Sequence, residues 1–214
     1  MANDTGVRGL YPITAPDGPP KLLYYRCATE TAIYRGQLVY LNSNGMLSVV
    51  QADTSTNANV ALGVAWDFLD LNRAGLVPGM TLLPNSVGAT SYGPFLPAST
   101  DAFVGVTYDP MQLYIVEEDT ATTNSKTSIA INSLGNTISW TYQATTGNVM
   151  SGFANVTLLR DSVAKTTSNL LQLVNIYDIT NQDGTQNTGG NYGKWVVRIY
   201  RHQFGQGMFP VPAV

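Results

Sequence analysis

A chain of 214 residues with 44% hydrophobic content can bury one substantial core or two smaller ones, so size does not limit the fold. Only 12% of its residues are charged, about half of the roughly 25% usual for soluble domains, and the polar positions are filled by Thr, Asn, Ser and Gln. The net charge of -3 and the scattered Lys and Arg residues exclude a nucleic-acid groove, which needs clustered cations, and the single cysteine, Cys27, excludes an internal disulfide framework.

In chain order, residues 1–20 carry Gly6, Gly9, Pro12, Pro16, Gly18, Pro19 and Pro20, a spacing that allows neither helix nor inner strand and predicts an extended arm. Strands are predicted at 21–29, 33–41, 46–51, 61–66, 102–108, 112–117, 128–131, 138–142, 155–159, 170–177 and 194–201. That spacing is all-β. Cys27, inside an apolar run, is expected to be a buried structural thiol. Asn42-Ser43-Asn44-Gly45 joins two β-rich runs, and Asn-Gly predicts a hairpin with a primed turn. A short helix is plausible only at 67–74, where Gly75, Pro78 and Gly79 would stop it. Long loops are expected at 77–100 and 178–193, and residues 203–214 read as a second extended tail.

The fold class expected is therefore all-β, a β-barrel or jelly-roll-like sandwich with extended N- and C-terminal arms and long loops. Residues 21–202 form its domain, with a split into two β subdomains near 75–100 as the alternative. The run Trp195, Val196, Val197, Ile199, Tyr200 is apolar on both strand faces, which predicts that the outer side of its sheet is also covered. No basic-then-apolar leader and no run of about 18 apolar residues occurs, so neither a cleavable signal nor a spanning helix is expected. Without a leader, the acceptor-type triplets at Asn3 and Asn155 read as chance matches.

Chemistry-bearing motifs are sparse. Glu117, Glu118 and Asp119 are the densest acidic cluster, and His202 is the only histidine. On a strand Glu117 and Glu118 point to opposite faces, so a paired-carboxylate hydrolase site is disfavoured against a solvated strand end. His202 reads as a polar residue ending its strand, and a histidine-rich metal cluster is excluded. Residues 179–190 fail as a calcium-binding EF loop, since Ile179 and Gly190 stand where carboxylates are required; Asp178 and Asp183 leave a single irregular calcium site as an option. Gly193-Lys194 fails as a phosphate loop because Thr188 replaces its first glycine and Trp195 its Ser/Thr. Tyr24, Tyr25, Tyr92, Tyr108 and Tyr114 could line a sugar-binding groove, though tyrosine more often serves cores and protein interfaces. No catalytic, cofactor or metal residues are assigned.

The run 33–41, IYRGQLVYL, followed by Gly45 and Leu62-Gly63-Val64-Ala65, resembles the opening strand-turn-strand of bacteriophage capsid decoration, or cement, proteins. Residues 108–119, YDPMQLYIVEED, and 195–202, WVVRIYRH, are similar to head-associated proteins of tailed phages. The resemblance implies a β-barrel or jelly-roll virion protein on the outer surface of the head, made in the host cytoplasm. It would bridge subunits of the major capsid protein, as a homo-oligomer (dimer or trimer), with no nucleic acid and no membrane as partner. The terminal segments, poor in local structure, then predict the subunit interface: Leu10, Tyr11, Pro12 and Ile13 at one end and Phe204, Met208, Phe209 and Pro210 at the other. The alternative from a different class is a receptor- or glycan-binding β-module of a tail fibre or adhesin.

Overall fold

A computed structural model describes residues 9–15, 18–29, 31–51, 60–70, 95–119, 127–148, 151–178, 186–187 and 192–205. The fold is all-β, with two single-turn 3-10 segments at Ile131–Ser133 and Arg160–Ser162. Five strands close a barrel in the order β2 (Leu22–Thr29), β5 (Leu47–Val49), β4 (Leu38–Leu41), β6 (Gly63–Asp70) and β8 (Thr100–Thr107). The long β2 and β8 pair antiparallel from Leu22↔Thr107 to Thr29↔Thr100, and a parallel contact at Cys27↔Leu47 closes the ring. A Cβ on Gly63 would lie 1.9 Å from the Thr107 carbonyl oxygen, so glycine is what lets β6 start so close to β8.

A second, open sheet runs β1 (Tyr11–Thr14), β9 (Leu113–Glu117), β14 (Lys194–Ile199), β13 (Leu171–Ile176) and β10 (Thr137–Ile138). A ribbon of β11 (Trp140–Gly147) and β12 (Ala154–Leu158) and a short pair, β3 (Ile33–Tyr34) with β7 (Phe95–Leu96), complete the strands. Strand periodicity sorts the side chains into two cores. Val39, Leu47, Val49, Ala65, Phe68, Val104 and Val106 fill the barrel, with Leu41 packed against them. The intervening Leu38 and Val64, with Tyr40 packed alongside, face outward and join Trp140, Val156, Leu173, Trp195 and Val197 in a larger core shared by barrel, sheet and ribbon. The opposite face of β14 is covered too, as expected: Val196 and Lys194 are buried there.

Several expectations are corrected. Part of the N-terminal arm belongs to the domain: β1 pairs with β9, and Leu10 is wholly buried. Gly9 and Gly36, with φ of 72° and 82°, allow this approach, since a Cβ on Gly9 would meet the Gly36 Cα at 3.0 Å, and the Leu10 N–H donates to the Gly36 carbonyl. Residues 67–70 continue strand β6 instead of starting a helix; a bulge between Ala65 and Asp67 breaks the alternation that would have revealed it. The rest of that expected helix, 71–74, lies outside the described residues. The strand expected at 128–131 is irregular chain leading into a 3-10 turn. Residues 33–41 divide into β3 and β4 at Gly36.

In the hairpin only Gly45 takes positive φ (71°). Its N–H donates to the Asn42 carbonyl at 3.0 Å and the Asn42 side chain accepts from Asn44 and Met46, so a common turn ending in a left-handed glycine replaces the primed one. Strand β8, which follows 75–100 in the chain, closes the barrel begun by β2 to β6, and the expected division itself falls largely on 75–94, outside the described residues.

Candidate functional site

Of the five described residues expected at a subunit interface, Leu10, Tyr11, Pro12, Ile13 and Phe204, the fold exposes two prominently. Tyr11 is 44% and Phe204 60% exposed. Tyr11 stands on the edge strand β1 and packs edge-on against Trp66 at 5.0 Å between ring centroids, with Phe153 on Trp66 at 6.1 Å. The bulge in β6 turns Trp66 toward this cluster. Phe204 follows a fixed corner: the Gln203 side chain both accepts from and donates to the Leu41 backbone at 2.9 Å, and the Phe204 N–H donates to His202 Nδ1 at 3.1 Å. Leu10 and Pro12 are buried in the chain's own fold, because β1 needs them to cover the sheet, and so are closed to a partner. Ile13 is half-buried, and Met208, Phe209 and Pro210 lie outside the described residues.

The acidic cluster is not a solvated strand end. Glu117, Glu118 and Asp119 are 6%, 0% and 2% exposed. Tyr114, Val116 and Glu118 share the core face by strand parity, while Glu117 shares the other with Ile115 and sits opposite Lys194, so the two glutamates do diverge. Glu118 accepts from Trp195 Nε1 at 2.6 Å and from the Ile129 N–H at 3.2 Å. The counter-charge is Arg160, also buried, whose Nε lies 3.0 Å from Asp119 Oδ1 and 3.9 Å from Glu118 Oε2. Its Nη1 donates to the Thr127 carbonyl at 2.6 Å, and its Nη2 to the Asp119 carbonyl. The cation therefore donates to three acceptors and lies in ion-pair range of Glu118, the arrangement that makes a buried ion pair tolerable.

Trp195 and Ile129, the two residues held by Glu118, also line an open cavity of about 550 Å³ at the end of the open sheet. Asn175 and Ile176, beyond a bulge in β13 between Leu173 and Asn175, form one part of its wall, and Asp178, Gln186 and Asn187 another. Asn187 fixes that wall with three bonds: its Nδ2 donates to the Tyr177 and Lys194 carbonyls at 2.7 and 2.9 Å, and its Oδ1 accepts from the Lys194 N–H at 3.0 Å. The turn carrying Ile131 is tied to β13 by the Gly135 N–H, which donates to the Leu173 carbonyl at 2.8 Å. The sequence marked two parts of this cavity, the long loop expected at 178–193 and Asp178 within it as a metal-ligand option, and parity put Glu118 on the face of Tyr114 and Val116; no motif pointed to Ile129, Ile131 or Asn175.

The remaining candidates are dispersed. His202 is wholly buried against Ala61, and no hydrogen bond or ion pair joins it to Glu117 or Glu118 among the described residues. Burial lowers its pKa, offset in part by the backbone of Tyr108 and Leu62 and by the Asp109 carboxylate. Tyr114 cannot line a groove: it is buried, its hydroxyl meets Thr107 Oγ1 at 3.0 Å, and burial raises its pKa. Tyr24 donates to Asp67 at 2.8 Å on the barrel wall, and its pKa rises through burial and that acceptor. Tyr25 and Tyr108 are half-buried, and Tyr92 lies outside the described residues. Asp178 is exposed and Asp183 undescribed; among the described residues no group of three His, Cys, Asp or Glu side chains could hold a metal ion. Cys27 is buried, its thiol 3.4 Å from the Leu47 carbonyl.

Together these features define an all-β protein whose described residues form a small barrel, an attached sheet, two mounted surface aromatics and a walled cavity. No protein-family model matches the chain, and neither the curated proteins nor the solved structures contain a match. Among the described residues no helix is long and apolar enough to cross a membrane.

Proposed function

We propose that the protein is a structural component of a tailed-phage virion, decorating the outer surface of the head and bridging subunits of the major capsid protein. The observation that carries this reading is the pair of exposed aromatics, Tyr11 and Phe204, each held on a rigid part of the fold. Large exposed aromatics on ordered supports are the anchors protein interfaces use, because little side-chain entropy remains to be lost on binding. The low charge content favours the same use, since few ionic groups must be desolvated at a contact. The sequence resemblance in residues 33–41 with Gly45, 62–65, 108–119 and 195–202 points the same way. Each copy would add contact area across a joint between capsid subunits, and a modest free energy per copy is multiplied around the shell.

Mass spectrometry of gradient-purified particles tests the reading when combined with amine labelling of the intact particle. The chain is expected in stoichiometric amounts with Lys165, an exposed residue, labelled from outside. Its absence from the particles, or recovery only with detached tails, contradicts the proposal.

A further inference from the structure

The cavity at the end of the open sheet takes no part in the contacts just described. We infer that it is a binding site for a neutral saccharide of one or two rings. Its volume of about 550 Å³ lies inside the roughly 300–1,000 Å³ span of small-molecule sites. Its lining combines two chemistries: Ile129, Ile131 and Ile176 offer apolar surface, while Asn175 and Asp178 offer polar atoms. A pyranose ring is divided the same way, with a C–H face and a rim of neighbouring hydroxyls that each donate and accept. A carboxylate can accept from two adjacent hydroxyls, and a primary amide can complement a third. Asn175 has its Oδ1 engaged by the Ile176 N–H at 2.9 Å, which leaves Nδ2 to donate to a ligand.

The charge of the lining selects among ligands. No Lys, Arg or His lines the cavity among the described residues, and Asp178 supplies a negative charge, so an anionic sugar or a phosphate is disfavoured. Ile131 is 65% exposed on its short turn, and a ring lying on it would remove that surface from water. The walls are held in place before any ligand arrives. Glu118 pins Trp195 and Ile129 from below, Asn187 pins the return of the loop, and the β13 bulge turns Asn175 outward. A buried carboxylate used to hold two cavity residues is the kind of supporting contact that keeps a binding site in one geometry.

Calorimetric titration of the full chain with glucose, galactose, mannose, N-acetylglucosamine and their β-linked disaccharides, backed by saturation-transfer NMR for weak ligands, tests this directly. Saturable binding of at least one of these is expected. Asp178→Ala and Asn175→Ala, at exposed positions, should each weaken it at least tenfold without moving the thermal midpoint, and Tyr11→Ser should leave it unchanged. No saturable binding by any of these sugars overturns the inference. So does undiminished binding by both cavity variants, or a preference for sialic acid or a lysine-rich peptide. Because the isolated protein is titrated, the result is independent of whether the chain sits on a phage head.

Discussion

Arg160 sets the charge balance around two buried carboxylates, since its guanidinium lies 3.0 Å from Asp119 and 3.9 Å from Glu118. Arg160→Met should remove that guanidinium from beside the two carboxylates and cost about 3–5 kcal/mol in urea unfolding. By contrast, removing the exposed Arg26–Asp101 pair, 2.7 Å apart, should leave the midpoint unchanged. His202 gives a pH prediction. Its folded pKa lies below its unfolded value because burial disfavours the cation, so on acidification the unfolded chain takes up the proton first. The contribution is intact above the ordinary histidine value near 6.5 and is lost as pH falls from there toward the folded value. His202→Gln should flatten that part of the stability profile, measured by urea midpoints from pH 7.5 to 5. At this scale the sequence was partly legible: parity alone placed Glu117 and Glu118 on opposite faces. It could not say that Arg160, 42 positions beyond Glu118, would return to make burial of that carboxylate possible.

Among the elements, the β-rich run 38–41 before the Asn-Gly turn predicts the barrel strand, and the structure then sorts its side chains, Val39 and Leu41 to one core and Leu38 and Tyr40 to the other. The first strand escaped because its local composition, Tyr-Pro-Ile-Thr between glycines, is that of a linker; what makes it a strand is the waiting edge of β9. Leu10→Ala tests how far this segment belongs to the domain, with an expected loss of about 2–5 kcal/mol in chemical denaturation; an arm merely draped on a partner would lose nothing in the isolated protein. Gly147 tests the ribbon. A Cβ there would fall 2.3–2.5 Å from the Tyr34 ring, which is stacked on Phe95 at 5.1 Å and cannot retreat freely. Gly147→Ala should therefore destabilise by about 1–3 kcal/mol, whereas Gly45→Ala, in open space, is penalised only through its positive φ.

For the whole molecule, barrel, sheet and ribbon share the larger core, so thermal unfolding followed by calorimetry and by tryptophan fluorescence should give one coincident transition. The all-β class was legible because strand-length apolar runs recur along the chain; the pairing order was not, since the barrel's parallel closure at Cys27↔Leu47 and the joining of β1 to β9 depend on contacts between distant segments. The proposal of a head-surface role rests on this whole surface, poor in charge and carrying mounted aromatics at two places. The most direct test is a cryo-electron microscopy reconstruction of the native particle in which the area this chain buries against shell subunits is measured. The account predicts on the order of 1,000 Å² or more, with Tyr11 and Phe204 both covered. A chain found with both aromatics facing solvent, or not on the head at all, would contradict it.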